Sequence, residues 1–74
     1  MDKSIHTKEY AEFVKRLKQA RLEAGLTQAE VAKKLRCSQS YVSKVEGQEL
    51  RLDIIELQRF AKLYGKDISF FTKK

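Results

Sequence analysis

The stretch Leu26-Thr27-Gln28-Ala29-Glu30-Val31-Ala32-Lys33-Lys34-Leu35-Arg36-Cys37-Ser38-Gln39-Ser40-Tyr41-Val42-Ser43-Lys44-Val45-Glu46-Gly47 decides how this chain is read. It holds two short helix patterns, each opened by a hydroxyl residue suited to cap a helix. Thr27 opens the first, and Glu30, three residues later, completes a capping box. Leu26 and Val31 flank that cap as a hydrophobic staple. Ser38 opens the second, with Cys37 and Val42 placed as its staple. Only Arg36 and Cys37 stand between Leu35 and the second cap.

This spacing leaves about two helical turns, a short corner and a new helix. So short a corner does not return the chain antiparallel. The two helices cross steeply, and the start of the second stands exposed. A helix-turn-helix of this form presents that start to a DNA major groove. The side chains exposed there are Gln39, Ser40, Ser43 and Lys44. All four form hydrogen bonds and none is an acid, which is what reading base edges requires.

The rest of the chain extends the same pattern. With no proline and three glycines, it reads as all-α with short connections. A first helix is expected from near Thr7 to just before Gly25. Its apolar stripe is Tyr10, Phe13, Val14, Leu17, Ala20 and Ala24, spaced three or four apart. Gly25 suits the left-handed position past a helix end. In the third helix Val42 and Val45 face inward. Asp53 and Glu56 repeat the capping box, with Leu52 and Leu57 as staple. The fourth helix turns Leu57, Phe60, Ala61 and Tyr64 inward and ends at Gly65. Asp67 then caps a short turn holding Ile68, Phe70 and Phe71. Residues 1–6 read as a flexible tail and 7–72 as a single domain. Agreement between caps and apolar periods along the chain is stronger than any one match.

Composition narrows the function. Seventy-four residues make one small domain, and a core of this size is marginal alone. One cysteine, Cys37, and one histidine, His6, make neither an intramolecular disulfide nor a zinc site. No metal or cofactor is expected. There is no His–acid pair and no glycine-rich phosphate loop, so an enzyme is not expected. The polar start lacks a signal core, and no apolar run approaches a membrane span. A reduced, cytoplasmic setting is the simplest reading. Sixteen basic residues against 10 acidic give a net charge of +6. That excess suits nucleic acid, an anionic membrane or an acidic protein, and solubility alone also accounts for it. Lys33-Lys34-Arg36 and Lys73-Lys74 are the only clusters.

Residues 16 to 71 resemble the lambda-repressor-like, Cro-type helix-turn-helix domain, also called the xenobiotic-response-element family of bacterial and phage regulators. The matching residues are Arg21, Gly25-Leu26-Thr27-Gln28, Val31-Ala32, Leu35, Ser38, Val42-Ser43 and Glu46. Arg51-Leu52-Asp53, Leu57 and Ala61 continue the match. The resemblance implies a five-helix domain, with its helix-turn-helix at about 27–46. It also implies binding to double-stranded operator DNA, usually as a two-fold homodimer.

Residue roles follow where the motif matches. Gln39, Ser40, Ser43 and Lys44 fall where the family reads bases, and a glutamine amide pairs bidentately with adenine. Thr27, Gln28 and Ser38 are expected at phosphates, Gln28 with help from the helix N-terminus, and Arg36, where the chain departs from the motif, is expected to add a phosphate contact. Tyr41 has two uses open to it: reaching a phosphate, or packing against the second helix with its hydroxyl in water. Arg51 either touches the DNA backbone or is solvated. Arg21 and Glu46 match a family pair that joins the first helix to the end of the third. Phosphate contact by Arg21 is the rival use.

Three departures stand out. Arg36 replaces a customary glycine, and a left-handed arginine there costs roughly 1 kcal/mol relative to glycine. Gly47 comes one place early for the usual Glu-x-Gly pattern. Leu50 stands where a polar residue is common. With Ile54, Ile55 and Phe70, Leu50 leaves more apolar surface than one small core needs. These four are expected either at a dimer interface, as the family uses this region, or more deeply buried. The leading expectation is a transcriptional regulator, a repressor or autoregulator, acting as a homodimer on an inverted repeat. The alternative is an antitoxin-type module that neutralises a partner protein. A toxin or polymerase partner stays open.

Overall fold

A computed structural model describes residues 7–72 as five helices. They are α1 (Lys8–Glu23), α2 (Gln28–Leu35), α3 (Gln39–Glu46), α4 (Ile54–Tyr64) and α5 (Ile68–Thr72). The expected tail at 1–6 and the Lys73-Lys74 pair lie outside the described residues.

Each of the first four helices starts on a side-chain cap, which at Thr27, Ser38 and Asp53 is the predicted one. Thr7, Thr27, Ser38 and Asp53 are extended, and each side chain accepts the amide N–H three residues on. Thr27–Glu30 and Asp53–Glu56 both form complete capping boxes. Before α5, an Asp67 carboxylate oxygen accepts the Ser69 N–H at 3.0 Å.

One device ends these four helices. In each, an amide N–H donates to the carbonyl five residues back: Leu26 to Arg21, Cys37 to Ala32, Glu49 to Lys44, and Lys66 to Ala61. The residue before each donor takes a positive φ: Gly25, Arg36, Gln48 and Gly65. This is the Schellman closure, which suits glycine because the left-handed region crowds a Cβ. Arg36 therefore keeps the turn a glycine would make, with φ 57° and ψ 47°. Gly47 does not supply the left-handed residue after α3. Its φ is −90°, and Gln48 next to it takes φ 60°. The early glycine thus leaves the closure in place and moves its strain onto glutamine.

The core joins all five helices. Leu17 and Ala20, Val31 and Ala32, Val42 and Val45, Leu57, Phe60, Ala61 and Tyr64, and Phe71 form one buried cluster. Phe13 meets Phe71 edge-on at 6.4 Å, which seats α5 on α1. Ala24 departs from expectation, being exposed, while Arg21 takes the buried place on that side of α1. Two further bonds set the ends of elements. An Arg59 Nη2 donates to the Leu35 carbonyl at 2.6 Å, closing α2 from α4. The Leu52 N–H donates to the Tyr10 hydroxyl at 3.1 Å, holding the approach to α4 against α1.

Candidate nucleic-acid interface

The corner between α2 and α3 is Arg36, Cys37 and Ser38, and α3 begins at once with Gln39. Cys37 is half-buried and packs against the core, and burial pushes its thiol pKa up. It acts as the apolar corner filler that the staple pattern predicts. Val42 and Val45 are fully buried and fix the roll of α3. The helical period then turns Gln39, Ser40, Ser43 and Lys44 outward, and all four are exposed. Ser40 and Lys44, four apart, are neighbours on one face.

The residues expected at phosphates divide by how their polar atoms are engaged. Thr27 Oγ1 accepts the Glu30 N–H, and Ser38 Oγ accepts the Tyr41 N–H. Each hydroxyl keeps a proton it can donate outward. The Gln28 side-chain nitrogen donates to Glu46 Oε1 at 3.1 Å. An amide nitrogen carries two hydrogens, so one such bond is compatible with a second acceptor. Arg36 and Arg51 are exposed on either side of α3 in the chain.

Tyr41 makes a contact that neither expected use includes. Its ring stacks on Phe60 of α4 at 6.4 Å and packs against the core. The hydroxyl donates to Glu56 Oε2 at 2.7 Å. A phenol has one proton, so a phosphate would have to displace the carboxylate. Burial, and then the Glu56 hydrogen bond, hold the phenol pKa well above its usual range.

Arg21 and Glu46 pair as expected. Arg21 Nε donates to Glu46 Oε2 at 2.8 Å and Nη2 to Oε1 at 3.1 Å, a bidentate contact. Nη1 donates to the Leu26 carbonyl at 2.9 Å. The side chains are 9% and 4% exposed, so the pair is desolvated. The Glu46 hydrogen bond raises the Arg21 pKa. This network ties α1, the start of α2 and the end of α3 into one unit. It also leaves three donors of the Arg21 side chain committed within the domain, which weighs against phosphate contact as its main use.

Of the four apolar residues expected at an interface, three are exposed: Leu50 at 39%, Ile54 at 56% and Ile55 at 62%. Phe70 is different. It is half-buried against the core, in edge contact with Phe71 at 5.2 Å, with Lys66 Nζ 4.6 Å from its ring centre. Leu22 on α1, 60% exposed, was not singled out from sequence. It falls between Ala20 and Ala24, out of phase with the stripe, and that phase is the signal for its exposure.

A helix-turn-helix family model matches residues 17–71. The chain belongs to the lambda-repressor-like, Cro-type helix-turn-helix family. Members are DNA-binding transcription-regulator domains and not typically enzymes. No curated protein matches the sequence. Among the described residues no helix is long and apolar enough to cross a membrane.

Proposed function

We propose that this helix-turn-helix domain is a sequence-specific transcriptional regulator, a repressor or autoregulator, that binds an inverted-repeat operator as a homodimer. The observation that carries the reading is the outer face of α3. Gln39, Ser40, Ser43 and Lys44 are all exposed there, directly after the corner. Gln39 reads a base edge, with adenine its natural partner. Ser40, Ser43 and Lys44 complete the reading face. Thr27, Gln28, Ser38, Arg36 and Arg51 hold phosphates and set register. The net charge of +6 supplies salt-sensitive attraction.

Leu50, Ile54 and Ile55 form the apolar centre of the proposed dimer contact, with Phe70 at its edge. Two copies related by a two-fold axis would set recognition helices about 34 Å apart, matching half-site centres about 10 base pairs apart. Repression follows from occupying the promoter.

Selection of bound sequences from a random duplex library tests this reading. Enrichment of an inverted repeat is the expected result. A folded protein that enriches nothing overturns it. Exposed Leu22 on α1 favours a second reading in that case, an antitoxin-type module whose α1 face holds a partner protein.

A further inference from the structure

The recognition helix is anchored by carboxylates near both ends, and they lead to different helices. Near its C-terminus, Glu46 ties α3 to Arg21 of α1. Near its N-terminus, Tyr41 ties it to Glu56 of α4. The backbone of α3 packs chiefly on α2 and α1. Between the corner and α4 lies a groove of about 230 Å³, lined by Leu35, Cys37, Tyr41, Glu56, Arg59 and Phe60. Tyr41 and Glu56 both line it.

Glu56 uses its two oxygens for two tasks. Oε1 accepts the Asp53 N–H at 3.0 Å, completing the α4 capping box, while Oε2 accepts the Tyr41 hydroxyl. In return the Glu56 N–H donates to Asp53 Oδ1 at 2.8 Å. The first two residues of α4, directly before Glu56, are Ile54 and Ile55. One carboxylate therefore links the start of the DNA-reading helix to the start of the helix that carries the exposed apolar pair.

We infer that Tyr41 and Glu56 are positioning residues for DNA reading. Their hydrogen bond fixes the angle of α3 against the dimer-forming end of α4, and so sets the separation of the two recognition helices on the operator. This rests on the function proposed above. It assigns Tyr41 a role through α4, in place of a phosphate contact. Glu56 acts through Tyr41 and touches no DNA.

A double-mutant cycle on operator affinity, with Tyr41→Phe, Glu56→Gln and both together, separates the two roles. Tyr41→Phe removes one oxygen and keeps the stacking on Phe60. Glu56→Gln keeps an oxygen for the capping box, because glutamine serves at that position. Each single variant is expected to weaken binding by about two- to tenfold, the equivalent of one net hydrogen bond. The double variant should be no weaker than Tyr41→Phe alone, since Glu56→Gln acts only through that link, which its amide remakes at best as a neutral bond donated to the phenol oxygen. The variants should also discriminate less between the selected operator and operators lengthened or shortened by one base pair. A merely structural role would leave that spacing preference unmoved. Helical content measured in parallel shows that each variant is folded.

Additive losses overturn the inference. So does a Tyr41→Phe loss beside a neutral Glu56→Gln, which would put Tyr41 on the phosphate. Unchanged affinity in both singles, or an unchanged spacing preference, also overturns it. If the unaltered protein selects no operator, the functional reading itself fails and the inference falls with it.

Discussion

Replacing Arg21 with methionine should come close to unfolding this domain, and the geometry gives the scale. The substitution keeps the apolar stem of the side chain but removes three hydrogen bonds, two to Glu46 and one to the Leu26 carbonyl. The Glu46 side chain, 4% exposed, is left with Gln28 as its remaining side-chain donor. Stranding one partner of a buried ion pair costs about 3–5 kcal/mol. A chain of 74 residues has a total stability of about 4–11 kcal/mol, at roughly 0.05–0.15 per residue. The loss therefore takes a large share of what holds the domain together. It corresponds to a fall in Tm of more than about 12 °C for a domain of this size. Thermal and urea unfolding followed by far-ultraviolet circular dichroism measure it. The companion Arg21→Met/Glu46→Leu variant removes both charges and should recover about 2 kcal/mol of the loss. The Leu26 carbonyl stays orphaned, so recovery is incomplete. A loss below about 1 kcal/mol for Arg21→Met, or strictly additive effects, would refute the reasoning that the pair is desolvated and coupled.

Four further outcomes are expected. Gln39→Ala should weaken operator binding by roughly 1–3 kcal/mol with the fold intact; unchanged affinity would remove Gln39 from the reading face. Arg36→Gly and Gln48→Gly should each stabilise the domain by about 1 kcal/mol, because both positions are left-handed, and calorimetry would register an unchanged or lower Tm as failure. Ile54→Lys with Ile55→Lys should give a monomer in sedimentation, and a persisting dimer would move the interface elsewhere. Acid should destabilise the fold through Glu23, Glu30 and Asp67. Lys66 and Gln19 hydrogen bonds lower the Glu23 pKa, the Thr27 backbone lowers that of Glu30, and Ser69 lowers that of Asp67. Depressed carboxylates stabilise fully above their unfolded pKa values and lose that contribution as pH falls through the folded ones. Urea midpoints should therefore fall below about pH 4.5, and a flat profile from there to pH 2 would contradict the assignment.

Local grammar made most of the fold legible. A cap such as Thr27 and its partner Glu30 are three residues apart, so the bond that starts α2 is written within one turn of chain. Val42 and Val45 were legible for a similar reason, since helical period alone sets the roll of α3. The contacts that aim the site were less so. Tyr41–Glu56 and Arg59–Leu35 join residues 15 and 24 positions apart, and only the packing of α4 against the corner brings them together. The Arg21–Glu46 pair, 25 apart, came from family resemblance and not from spacing. Phe70 carried no local sign that Lys66 and Phe71 would cover part of its ring. The glycine after α3 stands one place early in the sequence pattern. That Gln48 would keep the closure, with Gly47 outside the left-handed region, needed backbone geometry. A Cβ at Gly47 would lie 3.2 Å from the Ser43 carbonyl oxygen, so closeness and not φ accounts for glycine there.

Helix α3 hangs between two left-handed residues that carry side chains, Arg36 before it and Gln48 after it. Elsewhere in the described chain that conformation falls on glycine. Each of these two stores about 1 kcal/mol, released whenever the local backbone opens. Opening the segment from 36 to 48 is thus favoured by roughly tenfold or more over the same segment closed by glycines. Amide hydrogens of α3 should exchange ahead of those in α4, although Val42 and Val45 are as deeply buried as Phe60. In dynamic terms, the helix proposed to read DNA is the one whose two flanks the fold holds under tension.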